Sequence, residues 1–312
     1  MGLSLEEILA VLPDNVKEMI KTLPMSTRDK VEEIRIRIHR PLEVVIDGNP
    51  FFPKKNEFPY SITPSDAIHL LNQLSDYSLY ALEEELKRGY ITIRGGHRVG
   101  LAGKVITDKG RVKAIRDISS FNIRIARQKI GVANPYIQYL YKNGSWNNTL
   151  IVGPPQTGKT TLLRDLARVI SEGSGKIPSM KIGIVDERSE IAGSVKGIPQ
   201  HRLGDRVDVL DACPKAEGMM MLIRSMSPEV LIVDEIGRKE DSEAIMEAIH
   251  SGVQIITTVH GNKIEDVLDR PTLKPLMEMN VFTRCIELSR GFQPGKVKRI
   301  RDENGKDVVR LH

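Results

Sequence analysis

The hydrophobic and polar residues of the chain follow different patterns in its two halves. In the first half they alternate over residues 33–38 and 90–93, as expected of strands with one buried and one solvated face. In the second half the apolar residues form short unbroken runs with helical patterns between them, which is typical of a parallel sheet covered on both faces. These runs span residues 150–152, 182–185, 230–233 and 253–259.

Helical spacing and turn-forming residues complete the prediction for the first half. The apolar spacing predicts three helices, over residues 10–22, from Thr63 or Ser65 to Leu74, and over residues 79–87. A second strand is expected over residues 42–46, and hairpin turns at residues 95–96 and 108–110. We therefore predict an α+β domain without internal repeats.

A polar segment rich in turn-forming residues, residues 141–148, precedes the first apolar run of the second half. We place a domain boundary there. The prediction is an N-terminal α+β domain over residues 1–143 and an α/β domain over residues 144–312, with a mostly parallel sheet, helices on both faces and a C-terminal β-hairpin. Two domains of this size fit the length of 312 residues.

The loop between the first apolar run and the helix after it has the pattern GxxxxGKT. This pattern predicts a phosphate-binding loop, because glycines let successive backbone N–H groups point inward and the helix N-terminus attracts anions. Prolines have no N–H, so we expect the donors to come from residues 157–161. Lys159 is predicted to reach the β- and γ-phosphates. The predicted nucleotide-binding residues are Gly153, Pro154, Pro155, Gln156, Thr157, Gly158, Lys159, Thr160 and Thr161.

Two carboxylates follow the apolar run at residues 230–233, in the pattern of a Walker B motif. Asp234 is suited to hold Mg²⁺, directly or through water, together with the hydroxyl of Thr160. Glu235 can orient and deprotonate an attacking water. The competing interpretation is a solvated turn after a core strand. With the phosphate loop upstream, the sequence predicts a P-loop NTPase fold of the RecA/AAA-like kind that binds ATP and Mg²⁺.

Two further strand ends carry polar residues that a nucleotide site could use. Residues 186–190 read Asp-Glu-Arg-Ser-Glu, and one of these carboxylates, with Glu187 as our candidate, is expected to touch the metal or the water. Ordinary helix capping is the alternative, since carboxylates favour helix N-termini. The last apolar run ends in His260, which is a candidate sensor of the γ-phosphate or a satisfied turn residue.

Composition indicates the compartment. The chain has two cysteines, Cys213 and Cys285, which offer no disulfide framework and no metal-binding spacing. The N-terminus lacks the basic and apolar regions of a signal peptide, and no apolar run approaches the ~20 residues that span a bilayer. We therefore expect a cytoplasmic protein without direct membrane insertion, which reaches a membrane only through protein partners.

A nucleic-acid motor or single-strand-binding ATPase is the alternative function. It is suggested by a net charge of +5, a pI near 9.1 and the basic run at residues 296–301. Aromatic residues make up only 4% of the chain, whereas strand binders stack bases on aromatic side chains. The basic run also alternates, so it fits one arm of a solvated hairpin equally well. We therefore expect no nucleic-acid partner.

The ordered set of phosphate loop, acidic box, Walker B motif and threonine-histidine box resembles the ring-forming ATPases of type II and type IV secretion and of pilus motors. This resemblance spans residues 150 to about 261. The chain is more closely similar to the stage III sporulation protein AA family, cytoplasmic ATPases of endospore-forming bacteria. That similarity extends to the first half, over residues 33–37, 90–100 and 118–124.

The resemblance implies a homo-oligomeric ring, a hexamer, that hydrolyses ATP and docks on membrane proteins of a secretion-like sporulation complex. Its implied role is to power assembly or operation of the channel between mother cell and forespore. The resemblance also implies that a neighbouring subunit supplies arginines to each site. Our candidates are Arg98, Arg116 and Arg124, for which a solvated sheet face is the alternative. Further candidates for phosphate contacts are Arg188, Arg224 and Arg238.

Two departures from the secretion-motor pattern leave the catalytic base open. Those motors usually have Gly-Glu at Walker B, with an arginine two residues later, whereas this chain has Asp234-Glu235 followed by Ile-Gly-Arg. The acidic box begins Asp-Glu where the motors tend to have Glu-Asp. Either Glu235 or Glu187 therefore fits the water-activating role.

Two other interpretations stay open at this point. The protein could be a scaffold that binds ATP to assemble and hydrolyses it only slowly. Separately, a methionine cluster at residues 219–221, with Leu222, Ile223 and Met226, fits either a helix packed on the sheet or a groove for a partner. We predict the packed helix.

Overall fold

A computed structural model describes residues 3–75, 83–289 and 295–311 of the chain. The described residues form two compact units, which divide between Arg127 and Gln128.

The N-terminal unit combines short helices with antiparallel strands. Its helices are α1 Leu3–Val11, α2 Asp14–Lys21, α3 Met25–Arg28, α4 Pro64–Leu74 and α5 Glu83–Arg88. Its strands are β1 Val31–Arg37, β2 Glu43–Ile46, β3 Asn49–Phe51, β4 Lys54–Lys55, β5 Phe58–Pro59, β6 Tyr90–Ile93, β7 His97–Asp108 and β8 Arg111–Arg124.

Within residues 3–75 and 83–127, six strands form an antiparallel sheet in the order β3-β2-β1-β8-β7-β6. The register places apolar residues opposite one another, as with Ile34 and Ile123 or Ile36 and Phe121. These four side chains are buried against the helices, while the alternate residues of the same strands are polar. The predicted α+β domain is confirmed, and the alternation found in the sequence is that of a sheet with one buried face.

One detail of this unit differs from the predicted helices. The helix predicted over residues 10–22 covers all of α2 but only the end of α1, most of which lies before it. The two helices are separate because Pro13, the N-cap of α2, cannot continue the hydrogen bonding of α1. Helix α4 begins as expected: the side chain of Thr63 accepts a hydrogen bond from the N–H of Asp66, whose own side chain accepts from the N–H of Thr63. Part of the helix predicted over residues 79–87 lies outside the described residues.

The C-terminal unit alternates strands and helices. Its helices are α6 Ile137–Leu140, α7 Lys159–Glu172, α8 Lys215–Met226, α9 Lys239–His250, α10 Glu265–Leu268 and α11 Lys274–Glu278. Its strands are β9 Tyr141–Lys142, β10 Ser145–Trp146, β11 Thr149–Gly153, β12 Ile182–Asp186, β13 Val207–Asp211, β14 Val230–Val233, β15 Gln254–His260, β16 Arg284–Leu288, β17 Val297–Asp302 and β18 Asp307–Arg310.

Within residues 128–289 and 295–311, eight strands form one sheet in the order β13-β12-β14-β15-β11-β16-β17-β18. The strands from β13 to β16 are parallel, and β17 and β18 add an antiparallel hairpin at one edge. Apolar side chains of α7 fill the core on one face of the sheet. Those of α8 and α9 fill the core on the other face. The predicted α/β fold with helices on both faces is confirmed.

The boundary between the units lies earlier than the one predicted at residues 143–144. Residues 132–146 belong to the core of the C-terminal unit, because Ala133, Leu140 and Trp146 are buried in the cluster that also contains α7. The backbone N–H of Ala133 also donates to the buried carboxylate of Asp165 on that helix, at 2.8 Å. The polar residues 141–148 form the small hairpin of β9 and β10 rather than a linker between domains.

Two of the four basic residues in the run at residues 296–301 form ion pairs inside the fold, and the two lysines are exposed. In β17, Arg299 donates to the fully buried carboxylate of Glu287 at 2.8 Å, and Arg301 donates to Glu265 at 2.7 Å. Buried charges need such partners. These two arginines are therefore committed to stabilising the C-terminal hairpin, which weakens the case for a nucleic-acid surface.

Within the described part of the chain, none of the helices combines the length and apolar character needed to cross a membrane.

Candidate functional site

The carboxyl ends of four parallel strands bring the predicted site residues to one edge of the sheet. Gly153 at the end of β11 lies opposite His260 at the end of β15. Strand β14, which leads into Asp234 and Glu235, lies between β15 and β12, which ends at Asp186. Open α/β sheets bind their ligands at this edge. The tertiary structure thus gathers residues that lie more than a hundred positions apart in the sequence.

The phosphate loop curls between β11 and α7 as its glycines require. Gly158 has φ +88° and ψ 24°, a left-handed conformation that side chains disfavour. A Cβ atom on Gly153 would lie 2.6 Å from the hydroxyl of Thr157. That hydroxyl donates to the carbonyl of Pro154 at 2.8 Å, which closes the loop on itself. The loop therefore closes directly ahead of the N-terminus of α7, and anion binding by the N–H groups there stays a prediction.

Lys159 is folded back onto the loop that carries it. Its Nζ donates to the carbonyls of Gly153 at 2.9 Å and Pro154 at 3.0 Å, and lies 3.1 Å from Nδ1 of His260. Burial lowers the pKa of Lys159, while Asp234 and Glu235 act in the opposite direction. The ammonium group therefore lies between the loop carbonyls and the strand-end residues.

Asp234 is held by hydroxyl groups from two other elements. Its carboxylate accepts a hydrogen bond from Thr160 at 2.6 Å and another from Thr258. Thr258 in turn accepts from the N–H of Glu235 at 2.9 Å. The hydroxyl of Thr160 and the carboxylate of Asp234 are hard oxygen donors side by side, which is the kind of donor set that suits Mg²⁺. The residues present therefore fit the predicted metal.

Glu235 is engaged by two basic side chains. One carboxylate oxygen accepts from Arg188 at 2.7 Å, and the other lies 2.8 Å from Nε2 of His260. Glu235 also has a positive φ of 54°, which is uncommon for a residue other than glycine. His260 therefore links the carboxylate of Glu235 to the ammonium of Lys159.

The acidic segment after β12 divides its carboxylates between two tasks. Asp186 is 2% exposed and accepts the backbone N–H groups of Glu190, Ile191 and Ala192 at 2.8, 3.0 and 2.8 Å. Burial raises the pKa of Asp186 despite these bonds. Glu187 instead forms an ion pair with Lys215 and lines the same cleft as Asp234 and Glu235.

Two residues that contact the acidic segment are not among those predicted from the sequence alone. Lys215, the first residue of α8, neutralises Glu187. Arg164 is a buried charged residue of α7 and donates to the carbonyls of Glu190 and Ile191 at 2.5 and 2.7 Å, which fixes the acidic segment. A charged residue at a buried helix position is a signal that could have identified Arg164. Nothing in the spacing of Lys215 pointed to its partner.

The remaining arginine candidates belong to two different units of the fold. Arg98, Arg116 and Arg124 belong to the N-terminal unit. Arg98 lies over the ring of Tyr90 at 4.0 Å, Arg124 lies 3.7 Å from Glu33, and Arg116 is exposed. In the C-terminal unit, Arg224 lines a groove between α8 and α9, and Arg238 is exposed just before α9.

The sequence matches the family described as "Sporulation stage III, protein AA" over residues 4–308. It is 58% identical to the stage III sporulation protein AA of Bacillus subtilis (strain 168) over 306 residues, which cover 98% of each chain.

The fold is similar to those of two proteins of known structure. The pilus retraction motor PilT with bound ADP aligns at a TM-score of 0.59 and 17% identity, over 96% of this chain and 83% of that one. The Legionella pneumophila ATPase DotB aligns at a TM-score of 0.60 and 15% identity, over 88% and 76% of the two chains. At these identities the likeness supports the fold assignment alone.

Proposed function

This chain belongs to the stage III sporulation protein AA family, and from that premise we propose that it is a Mg²⁺-dependent ATPase of the secretion-motor type. The reaction is hydrolysis of ATP to ADP and phosphate. The work it drives is assembly or operation of the channel between mother cell and forespore.

One observation carries this proposal: the hydrogen bond between Thr160 and Asp234 joins the start of α7 to the tip of β14. The phosphate loop and the strand-end carboxylates therefore share one site. A Gly-rich turn with an incidental lysine would not require this meeting of two distant segments.

Nucleotide phosphates would be bound by the chain's own N–H groups and by Lys159. The N–H groups of residues 157–161 lie at the N-terminus of α7, where the helix dipole favours negative charge. Lys159 would exchange the carbonyls of Gly153 and Pro154 for phosphate oxygens, and the buried site strengthens that attraction. Thr160 and Asp234 would hold Mg²⁺, which supplies positive charge against the phosphate oxygens when bound.

Glu235 is our choice for the water-activating base. It follows Asp234 directly, and its partners are His260, at 2.8 Å, and Arg188, which is 61% exposed, whereas Glu187 is paired with Lys215, which is 11% exposed. An exposed partner is more easily exchanged for water, so a lone pair of Glu235 is more readily freed. A general base needs a free lone pair aimed at its proton. His260 lies between Glu235 and Lys159, so a γ-phosphate that draws Lys159 away would also change the partners of Glu235. This makes His260 a sensor of the bound nucleotide.

The motor role adds features that lie outside a single chain. We propose a cytoplasmic homo-oligomeric ring, a hexamer, peripheral to the membrane and held there by membrane proteins of a secretion-like complex. Arg98, Arg116 and Arg124 are the candidates for arginines supplied across the subunit interface to the developing phosphate charge.

The proposal is tested with Lys159→Ala and Glu235→Gln, using the exposed Lys298→Ala as a matched control. Binding of a fluorescent ATP analogue should weaken by about 100-fold or more in Lys159→Ala, while Glu235→Gln should bind normally and lose hydrolysis. Lys298→Ala should match the wild type in both assays. Wild-type turnover in both site variants would contradict the assigned roles.

A further inference from the structure

Helices α8 and α9 enclose a groove of about 730 Å³ that lies outside the candidate active site. Its floor and walls include Ala216, Met220 and Met221 from α8 and Ala244 from α9. None of the residues lining it belongs to the phosphate loop or to the acidic segments after β12 and β14.

The methionine cluster of α8 divides between the core and this groove. Met219 is fully buried, and nearby Leu222 is 1% exposed. Both pack in the core on the face of the sheet that α8 and α9 cover. Met220 lines the groove, and Met221 is 52% exposed. The prediction of a helix packed on the sheet therefore accounts for Met219 but leaves Met220 and Met221 facing outward.

Methionines are suited to a surface that binds another helix. Their side chains are unbranched and polarisable, so they adapt to the shape of an apolar partner. Amphipathic helices commonly bind in grooves that offer such side chains. Each of the two helices has 12 residues, a length of about 18 Å, which matches a partner helix of about three turns.

The charge around the groove identifies the chemistry of the partner. Four exposed glutamates line it, and Arg224 is the basic residue among the described lining residues. Three of the glutamates recur along one side of α9. They are Glu240, Glu243 and Glu247, with Glu217 on α8 completing the set. Lys239 lies 3.2 Å from Glu243 and offsets part of this charge, so the groove keeps a net negative rim.

We propose that this groove is a docking site for a basic amphipathic helix of a partner protein. Apolar side chains of that helix lie against Met220 and Met221, and its lysines or arginines face the carboxylates of α9. The acidic rim requires a positively charged partner and speeds the association of the partner with the groove. The apolar floor requires that the partner's hydrophobic residues lie on one face. This proposal concerns binding alone and does not depend on hydrolysis.

The test is NMR of the full chain labelled with ¹³C at its methionine methyl groups. The probe is a synthetic 14-residue peptide with leucines on one helical face and lysines on the other. Met220→Leu and Met221→Leu assign the two groove signals. Titration should shift these two signals to saturation, while those of Met25 and Met279, exposed elsewhere at 72% and 60%, should not move.

Matched variants separate docking from general attraction of charge. Glu240→Gln combined with Glu247→Gln should weaken peptide binding at least about fivefold, because two rim charges are removed. Glu278→Gln, an exposed glutamate on α11, should leave the affinity unchanged. A peptide of the same composition with its leucines scattered around the helix should fail to saturate the groove signals.

Three results would overturn the proposal. Equal binding of the scattered peptide would show attraction of charge without a docking groove. Unchanged affinity in the double glutamine variant would show that the acidic rim plays no part. Shifts of the two groove signals that grow with protein concentration, without peptide, would identify a second copy of the chain as the occupant instead.

Discussion

Two neighbouring strands of the C-terminal sheet end in the same dipeptide, Asp-Glu, and the fold uses the two pairs differently. After β12, the buried carboxylate of Asp186 accepts three backbone N–H groups. After β14, the carboxylate of Asp234 accepts from the hydroxyls of Thr160 and Thr258. The first aspartate shapes its own loop, whereas the second connects separate elements at the phosphate loop.

The following glutamates differ in the same way. Glu187 forms an ion pair with Lys215, whose side chain is 11% exposed, whereas the arginine that contacts Glu235 is 61% exposed. Glu187 is thus paired with a largely buried cation and Glu235 with an exposed one. Position at a strand end therefore brings a carboxylate to the site, but the donors around it decide whether it is free to act on a ligand.

The largest effect is expected from the two glutamates. Glu235→Gln should lower the turnover of ATP by about 100-fold to 1000-fold, as expected for loss of a general base, and Glu187→Gln by less than about 10-fold. Both changes keep side-chain size. Steady-state phosphate release under saturating ATP and Mg²⁺ measures them. A reversed order would assign the water-activating role to Glu187 and invert the comparison.

Substitution of the two aspartates should affect the stability of the protein in the reverse order, with the larger loss at Asp186, at the end of β12. Asp186→Ala leaves three buried N–H groups without their acceptor and should lower the free energy of unfolding by about 2–4 kcal/mol. Asp234→Ala should cost less, about 1–2 kcal/mol, because it removes the acceptor of two hydroxyl groups and one of them, on the partly buried Thr160, can bond water instead.

Urea denaturation followed by tryptophan fluorescence measures this pair. Trp146 is the single tryptophan of the chain and is buried in the C-terminal unit, so its signal reports on that unit. Equal losses of stability in the two variants would mean that Asp186 has no special structural role.

The two ion pairs provide a smaller contrast. Lys215→Ala should lower the free energy of unfolding by about 1–2 kcal/mol, since it leaves the carboxylate of Glu187 unpaired in a partly buried position. Arg188→Ala should change it by less than about 0.5 kcal/mol, because its exposed pair with Glu235 is screened by water and salt. The same fluorescence measurement applies. A larger loss for Arg188→Ala would show that the open side of the cleft is the more tightly organised.

The smallest expected effect is the contribution of Asp186 to the pH dependence of the free energy of unfolding. Because burial raises its pKa in the folded protein, the folded chain keeps a proton that the unfolded chain has already lost. The contribution of Asp186 to the free energy of unfolding should therefore fall as pH rises, from about pH 4 up to the raised pKa, with a slope of at most about 1.4 kcal/mol per pH unit. Above that pKa it should be constant.

Asp186→Asn provides the reference for this measurement, because an amide does not titrate. The difference in unfolding free energy between the wild type and Asp186→Asn, followed by urea denaturation from pH 4 to pH 7, should decrease over the predicted window. A difference that increases with pH would mean that the three N–H bonds outweigh burial and lower the pKa instead.

Much of the fold could be predicted because its pattern is local. The alternation over β1 and the unbroken apolar runs of β12 and β14 describe how many faces of a strand are covered. The domain boundary could not be found in this way. The polar residues of the small β9–β10 hairpin look like a linker in sequence, and only the burial of Trp146 shows that they belong to the C-terminal core.

In the candidate site, too, some features follow from the sequence and others are seen only in the fold. The phosphate loop could be predicted from a short run of residues, because its glycines and the following helix create an anion-binding turn from neighbouring backbone groups. The Walker B pattern pointed to Asp234, but the sequence did not reveal the structural role of Asp186, which also stands at the end of a buried strand. It also gave no sign of the pair between Glu187 and Lys215, whose members are separated by β13 and the loops around it.

Backbone conformation, strand periodicity and the phosphate cradle depend on residues close together along the chain, so they can be worked out from the order of amino acids. The burial of a carboxylate and the donors that surround it depend on segments brought together from far apart. Our proposal of Glu235 rather than Glu187 as base, and the division of the α8 methionines between core and groove, therefore rest on packing. Desolvation and hydrogen bonding act only once the strands and helices have assembled.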